Sequence, residues 1–168
     1  MKLKYILEKI NNEYTIYCDI DGVLSDFVKA FKKISNGVHP DKYEDDNGEK
    51  KFFALIHDNG IDWWSGMEWM PNAKALWAYL KPYNPTILSA PSKNPISKKG
   101  KKLWVAKNVG NVPAIYVPRK DKAKNAKHNA ILIDDNAKTC KEWKSKGGIA
   151  IHHTSVSDTL KKLKAIIE

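Results

Sequence analysis

Short hydrophobic runs alternate with longer amphipathic stretches through most of this 168-residue chain. The runs are rich in β-branched residues and predict strands over residues 14–19, 86–88, 114–117, 130–133 and 149–151. Apolar residues at helical spacing predict helices from Ser25 or Asp26 to Ile34, from Pro71 to Leu80, over 99–108, over 136–146, and from Ser157 or Asp158 onward. This alternation predicts an α/β fold whose parallel sheet is covered by helices on both faces.

Residues 35–70 do not fit the alternation. The stretch Ser35–Lys51 is polar and rich in turn-forming pairs, and a short helical segment is expected only over Phe52–His57. We therefore predict a small helical cap at 35–70, inserted after the first strand of a core made of 1–34 and 71–168. Residues 1–13 form an amphipathic lead-in of no assigned type. The whole chain is expected to be one compact domain.

Polar side chains follow three of the predicted strands. Asp19 and Asp21 end the first strand two residues apart, which places them on one face, and Gly22 permits a sharp turn after them. Ser89 ends the second strand, where a hydroxyl and free backbone N–H groups can hold a phosphoryl oxygen. Asp134 and Asp135 end the fourth, and two adjacent buried acids need a cation. Open α/β sheets bind ligands at this edge.

The segment D-I-D-G-V-L-S-D-F resembles the first motif, D-x-D-G-V/T-L, of the haloacid dehalogenase-like (HAD) phosphohydrolases. The resemblance implies a Rossmann-like, three-layer fold in which Asp19 attacks phosphorus and Asp21 is the general acid and base. Ser89 matches the second motif and would bind phosphate together with the Ala90 N–H. Asp134-Asp135 matches the fourth motif in its D-D form.

The third HAD motif supplies a lysine after the third strand. The stretch R-K-D-K-A-K offers Arg119, Lys120, Lys122 and Lys124. The deoxynucleotidases of the family carry R-D-K here, which favours Lys122 as the catalytic and phosphate-binding cation. The spacing to the fourth motif also permits Lys124.

An all-oxygen ligand set suits Mg²⁺. The resemblance implies Asp19, the Asp21 carbonyl and Asp134 as ligands. Because adjacent strand residues face opposite ways, Asp135 is expected to stand behind Asp134 rather than to bind the metal directly. No cluster of His and Cys residues suggests zinc.

The segments I-L-S-A-P, G-K-K-L-W-V-A-K-N-V-G and I-L-I-D-D are similar to those of the 5′(3′)-deoxyribonucleotidase group and its small phage and bacterial relatives. This resemblance implies a Mg²⁺-dependent phosphatase of nucleoside monophosphates. The chain departs from the group in its shorter, Lys- and Trp-rich cap and in its R-K-D-K spacing. Aromatic cap residues are candidates for stacking a nucleobase, while at least half of them should form the cap's own core: Phe52, Phe53, Trp63, Trp64 and Trp69.

The formal net charge is +10, which favours anionic partners such as phosphorylated small molecules or nucleic acid, although a lysine-rich surface also serves solubility alone. Lysine-rich segments 93–102 and 119–127 leave the sheet at its active edge and could follow a phosphate backbone. Two alternatives to a mononucleotidase therefore stand. One is a polynucleotide-end phosphatase, and the other is a non-catalytic, basic nucleic-acid-binding protein on the same scaffold.

Two cysteines, Cys18 and Cys140, occur without a C-x-x-C motif or a continuous apolar signal segment. No stretch approaches the roughly 20 apolar residues of a membrane span. We expect a cytoplasmic protein with free thiols and no membrane partner, either a monomer or a homodimer.

Overall fold

A five-stranded sheet organises the computed structural model, which describes residues 2–168, without the side chains of residues 6, 7 and 9–12. The strands are β1 (Thr15–Cys18), β2 (Thr86–Ser89), β3 (Ala114–Tyr116), β4 (Ala130–Asp134) and β5 (Ile149–His152). Their order is β3-β2-β1-β4-β5, and every neighbouring pair is parallel. Cys18 pairs with Ile87 on one side and Ile133 on the other, so β1, β2 and β4 end side by side. The predicted α/β fold is confirmed.

Helices cover the sheet and form the insertion. They are α1 (Lys2–Glu13), α2 (Phe27–Ile34), α3 (Pro40–Asn47), α4 (Glu49–Asp58), α5 (Gly60–Ser65), α6 (Ala73–Leu80), α7 (Pro95–Asn108), α8 (Ala137–Ser145) and α9 (Val156–Ile167). Residues 81–83 and 119–125 form 3₁₀ helices. No helix within residues 2–168 combines the length and the apolar character needed to cross a membrane.

Local capping sets several helix starts, and some differ from the predictions. Asp26 caps α2, since its side chain accepts a hydrogen bond from the Lys29 N–H. Ser155 caps α9 by accepting from the Asp158 N–H, so neither Ser157 nor Asp158 is the cap as predicted. The predicted start of α6 at Pro71 is also wrong, because the helix begins at Ala73.

The segment predicted to be turn-rich is largely helical, which corrects the reading of Ser35–Lys51. The His39 side chain accepts from the Asp41 N–H, and Pro40 stands at the first turn, where its missing N–H costs nothing. Helix α3 is acidic and mostly exposed, so hydrophobic periodicity gave no sign of it.

The insertion is fixed to the core through α5, which packs along α7. Gly100 allows the close approach, because a Cβ atom at this position would lie 2.3 Å from the Cβ atom of Trp64. The Trp104 indole in α7 donates to the Met67 carbonyl at 2.8 Å and ties down the chain that follows α5. Helix α5 and the segment after it therefore pack closely against α7.

Candidate active site

The ends of β1 and β4 bring two buried carboxylates to one buried ammonium group. Lys122 Nζ lies 3.1 Å from Asp19 Oδ1 and 2.7 Å from Asp134 Oδ2. All three side chains are nearly inaccessible to solvent. The 3₁₀ segment 119–125 delivers Lys122 to this position, whereas Lys124 points outward and pairs with Asp121 at 3.0 Å. Of the two lysines that the sequence left open, Lys122 is therefore the one beside Asp19.

Three carboxylates converge at this point. Oxygen atoms of Asp19, Asp134 and Asp135 lie within 4.8 Å of one another. Asp135 follows the last residue of β4, so the alternation of a strand does not turn its carboxylate away from the site, as the sequence reasoning had assumed. The carboxylate instead lies against Gly22, where a Cβ atom would be 2.0 Å from Asp135 Oδ2. Carboxylate oxygens of all three residues are therefore close enough together to hold one ion.

The close approach of these carboxyl groups to one another shifts their pKa values. Burial raises the pKa of Asp19 well above its usual range, and Asp134, Asp135 and Asp21 raise it further against the opposing effect of Lys122. Burial and the neighbouring charges of Asp134 and Asp21 raise the pKa of Asp135 to about 7. Burial lowers the pKa of Lys122, but the attraction of Asp19 and Asp134 outweighs it and raises the pKa above its usual value. The cluster therefore holds more carboxyl groups than one ammonium group can neutralise, and each carboxylate favours protonation of its neighbours.

Asp21 is held by two side chains from different parts of the chain. Its Oδ1 accepts a hydrogen bond of 2.9 Å from the buried Ser25 hydroxyl, and its Oδ2 pairs with the Lys101 ammonium group. Lys101 is 2% exposed and lies under Trp64, with Nζ 5.2 Å from the ring centroid. In the sequence Lys101 is one of several lysines in the segment 93–102, and nothing there indicates this contact. Only the neighbouring Gly100, which admits Trp64, hinted that one side of this helix is covered.

Ser89 is fully buried at the end of β2. Its Oγ atom hydrogen bonds to no group among the residues that the structure describes. A buried hydroxyl without a partner costs free energy unless a ligand completes it. Ala90, the next residue, reaches the surface of both cavities described below.

Two cavities meet above the strand ends. The acid cavity, of about 460 Å³, is lined by Asp19, Lys122, Asp134 and Asp135 and is covered by His39, Pro40 and Phe52 from the cap side. The aromatic cavity, of about 870 Å³, is lined by Phe53, His57 and Trp64 together with Lys50, Lys93 and Lys120. The two share four residues: Asp21, Phe27, Ala90 and Arg119. Asp21 thus faces both cavities, while Asp19 faces only the first.

The aromatic residues considered as candidates for binding a base lie in different places in the structure. Phe53 and Trp64 line the aromatic cavity, whereas Phe52 is buried and lines the acid cavity. Trp63 lines neither of them and donates its indole N–H to the Ala30 carbonyl at 3.2 Å. Trp69 packs on Trp104 and likewise lies outside both cavities.

The sequence did not single out His57 and Arg119 as parts of a pocket wall. His57 stacks on Phe53 with ring centroids 5.9 Å apart and hydrogen bonds to Ser92 Oγ at 3.1 Å. Arg119 makes two hydrogen bonds to Glu142, at 2.9 and 3.3 Å, which fix its guanidinium group where the cavities join.

Comparison with known proteins supports the fold. No protein-family model matches the sequence, and no curated protein is similar enough to match it. A crystal structure of a hydrolase from Streptococcus pneumoniae is similar, with 12% identity, a TM-score of 0.53, and coverage of 90% of this chain and 99% of that one. L-2-haloacid dehalogenase from Xanthobacter autotrophicus, with chloropropionic acid covalently bound, is 11% identical with a TM-score of 0.51, covering 90% of this chain and 82% of that one.

A HAD family enzyme from Bacteroides thetaiotaomicron, in complex with magnesium and inorganic phosphate, is 19% identical at a TM-score of 0.45, covering 82% of this chain and 92% of that one. The similarities to the Streptococcus pneumoniae hydrolase and to the Xanthobacter autotrophicus dehalogenase support the fold alone. This chain has the fold of the haloacid dehalogenase-like hydrolases.

Proposed function

We propose that this protein is a Mg²⁺-dependent phosphomonoester hydrolase that acts through an aspartyl-phosphate on nucleoside monophosphates. The observation that carries the proposal is the buried Asp19 carboxylate, held by Lys122 at the base of the acid cavity, with Asp21 standing between this cavity and the aromatic one. A phosphoryl group in the acid cavity would then direct its leaving group past Asp21 into the aromatic cavity.

The chemistry follows from these positions. A carboxylate oxygen of Asp19 attacks phosphorus, and the bond from phosphorus to the leaving oxygen breaks. The protonated form of Asp21 gives that oxygen its proton and is left as the carboxylate. Asp21 then removes a proton from a water molecule, whose oxygen attacks phosphorus and releases inorganic phosphate and free Asp19. Lys122 neutralises charge on the phosphoryl oxygens throughout, and the Ser89 hydroxyl donates to one of them.

The residues fit a divalent cation. Four carboxylates of the described site, from Asp19, Asp21, Asp134 and Asp135, face two ammonium groups, from Lys101 and Lys122. A hard cation would restore the balance, and Asp19, Asp134 and Asp135 offer the oxygen ligands for it. When bound, Mg²⁺ supplies charge neutralisation at the phosphoryl oxygens.

Two features favour phosphate ester hydrolysis over the release of a halide. A halide ion leaves without needing a proton, whereas an alkoxide needs one, and Asp21, which Ser25 and Lys101 hold where the two cavities meet, is the residue placed to transfer it. The excess of acids over lysines also favours a divalent cation, and a bound cation would in turn attract a charged phosphoryl group. A nucleoside as leaving group is supported by Phe53, His57 and Trp64, whose ring faces suit a base.

The test is phosphate release with Mg²⁺ from a panel of nucleoside monophosphates, sugar phosphates and para-nitrophenyl phosphate, with chloride release from 2-chloropropionate measured alongside. The proposal expects Mg²⁺-dependent phosphate release that is lost in Asp19→Asn and no chloride release. Near wild-type turnover by Asp19→Asn, or chloride release without phosphate release, would contradict it.

A further inference from the structure

The aromatic cavity carries a positive charge that a nucleoside does not require. Lys50 from α4, Lys93 from the loop after β2 and Lys120 from the 3₁₀ segment after β3 all line it. None of the three forms an ion pair within residues 2–168. Three segments far apart in the sequence thus contribute exposed ammonium groups to the lining of one cavity, each without an ion pair in the described chain.

The acidic residues that line the same cavity do not cancel this positive charge. Asp21 is already paired with Lys101, and Arg119 with Glu142, which leaves Glu49 as the lining acid outside an ion pair in the described chain. Three free lysines against one free carboxylate make the cavity a site for an anion. Its volume of about 870 Å³ is also near the upper end of the roughly 300–1,000 Å³ typical of small-molecule pockets.

We propose that Lys50, Lys93 and Lys120 form a second anion subsite that binds a further phosphate group on the leaving nucleoside. The proposal rests on the proposed function and names its substrate class: a phosphomonoester whose leaving group carries another phosphate. A nucleoside 3′,5′-bisphosphate is the simplest such substrate that also carries a base, and the phosphorylated end of an oligonucleotide presents the same chemistry. In the aromatic cavity the base lies near Phe53 and Trp64, and the second phosphate meets the lysines.

The lysines of the two segments that suggested nucleic acid, 93–102 and 119–127, lie in different surroundings in the structure. Lys101 and Lys122 are buried and belong to the acid cavity's own ion pairs. Lys93 and Lys120 are exposed, and they line the aromatic cavity together with Lys50. Three exposed lysines therefore belong to the cavity that Asp21 also lines.

The experiment compares kcat/KM for a nucleoside 5′-monophosphate, its 3′,5′-bisphosphate and para-nitrophenyl phosphate, all with Mg²⁺. The variant is Lys50→Gln/Lys93→Gln/Lys120→Gln. The matched control is Lys74→Gln/Lys146→Gln/Lys161→Gln, which removes the same charge from exposed lysines outside both cavities. We expect the bisphosphate to be preferred over the monophosphate by about ten- to a hundredfold, as charge-assisted hydrogen bonds to one phosphate allow.

The cavity variant should abolish that preference while leaving para-nitrophenyl phosphate hydrolysis within about twofold, and the control should keep the preference. Equal kcat/KM for mono- and bisphosphate, or an equal loss in both triple variants, would overturn the subsite. The absence of phosphate release from all of these substrates would instead overturn the proposed function. A 5′-phosphorylated trinucleotide distinguishes the two sources: a further rise in kcat/KM identifies nucleic-acid ends, and no rise identifies a small bisphosphate.

Discussion

Replacement of Lys122 by Met is the perturbation whose outcome the structure constrains best. The ammonium group lies 2.7 Å from Asp134 and 3.1 Å from Asp19, and the three side chains are 3%, 0% and 10% exposed. Removing one partner of a buried pair costs about 3–5 kcal/mol, because the remaining charge is buried without compensation. This is a large part of the roughly 5–15 kcal/mol that stabilises a typical domain.

Lys124→Met is the matched control, since it removes the same charge two residues away. Lys124 is 77% exposed and pairs with Asp121 at the surface, so its loss should cost less than about 1 kcal/mol. We expect metal-free Lys122→Met to lose about 3–5 kcal/mol in urea unfolding at about pH 8 and to lose activity by roughly 10²–10³-fold. Lys124→Met should stay within about twofold of wild-type activity.

The pH dependence of the stability lost in Lys122→Met identifies the cause of that loss. The Lys122 contribution is fully present below the unfolded pKa of lysine, because the folded pKa is raised. The folded pKa of Asp19 is also raised, and losing Lys122 raises it further, so this carboxyl takes up a proton as the pH falls. The stability deficit of Lys122→Met should therefore shrink towards about pH 5, and Asp19→Asn should offset part of it in the double variant. Equal losses in the two lysine variants, or a deficit that does not change with pH, would refute this reasoning.

Three further outcomes follow from the geometry. Gly100→Ala should lower stability by about 1–2 kcal/mol in urea unfolding, because the added Cβ meets Trp64 and the strain exceeds the gain in helix propensity. Ser89→Ala should change stability by less than about 0.5 kcal/mol but weaken inhibition by inorganic phosphate about tenfold, since its Oγ has no other partner within the described chain. Because the pKa of Asp135 is raised in the folded state, the metal-free protein should lose stability as the pH rises from about 4 to about 7. The expected loss is about 1–2 kcal/mol after allowing for the exposure of this side chain. A series of thermal-unfolding measurements should show that Mg²⁺ reverses the loss.

The sheet and the strand-end acids could be predicted because their signals are local. A buried parallel strand is a short apolar run, and Asp19, Ser89 and Asp134 each stand at the end of one. The carboxyl ends of neighbouring parallel strands must meet, so the sequence order alone brings these residues together. No long-range side-chain contact had to be known in advance.

The rest of the site depends on contacts between distant parts of the chain. Lys101 lies 80 residues from Asp21 and is flanked by other lysines, so nothing in its sequence neighbourhood separates it from a solvated side chain. Trp63 and Trp64 are adjacent on α5 and necessarily face different directions, and only the packing of α5 on α7 decides which one faces the cavity. Helix α3 escaped prediction because its polar sequence has almost no apolar face to bury.

The covalent role of Asp19 is tested most directly by acid-quenching the protein during turnover with Mg²⁺ and substrate and mapping the phosphorylated peptide by mass spectrometry. The proposed mechanism predicts one added phosphoryl group on the peptide that contains Asp19, absent without Mg²⁺ and absent in Asp19→Asn. Steady phosphate release with no phosphorylated Asp19, together with turnover by Asp19→Asn, would contradict it.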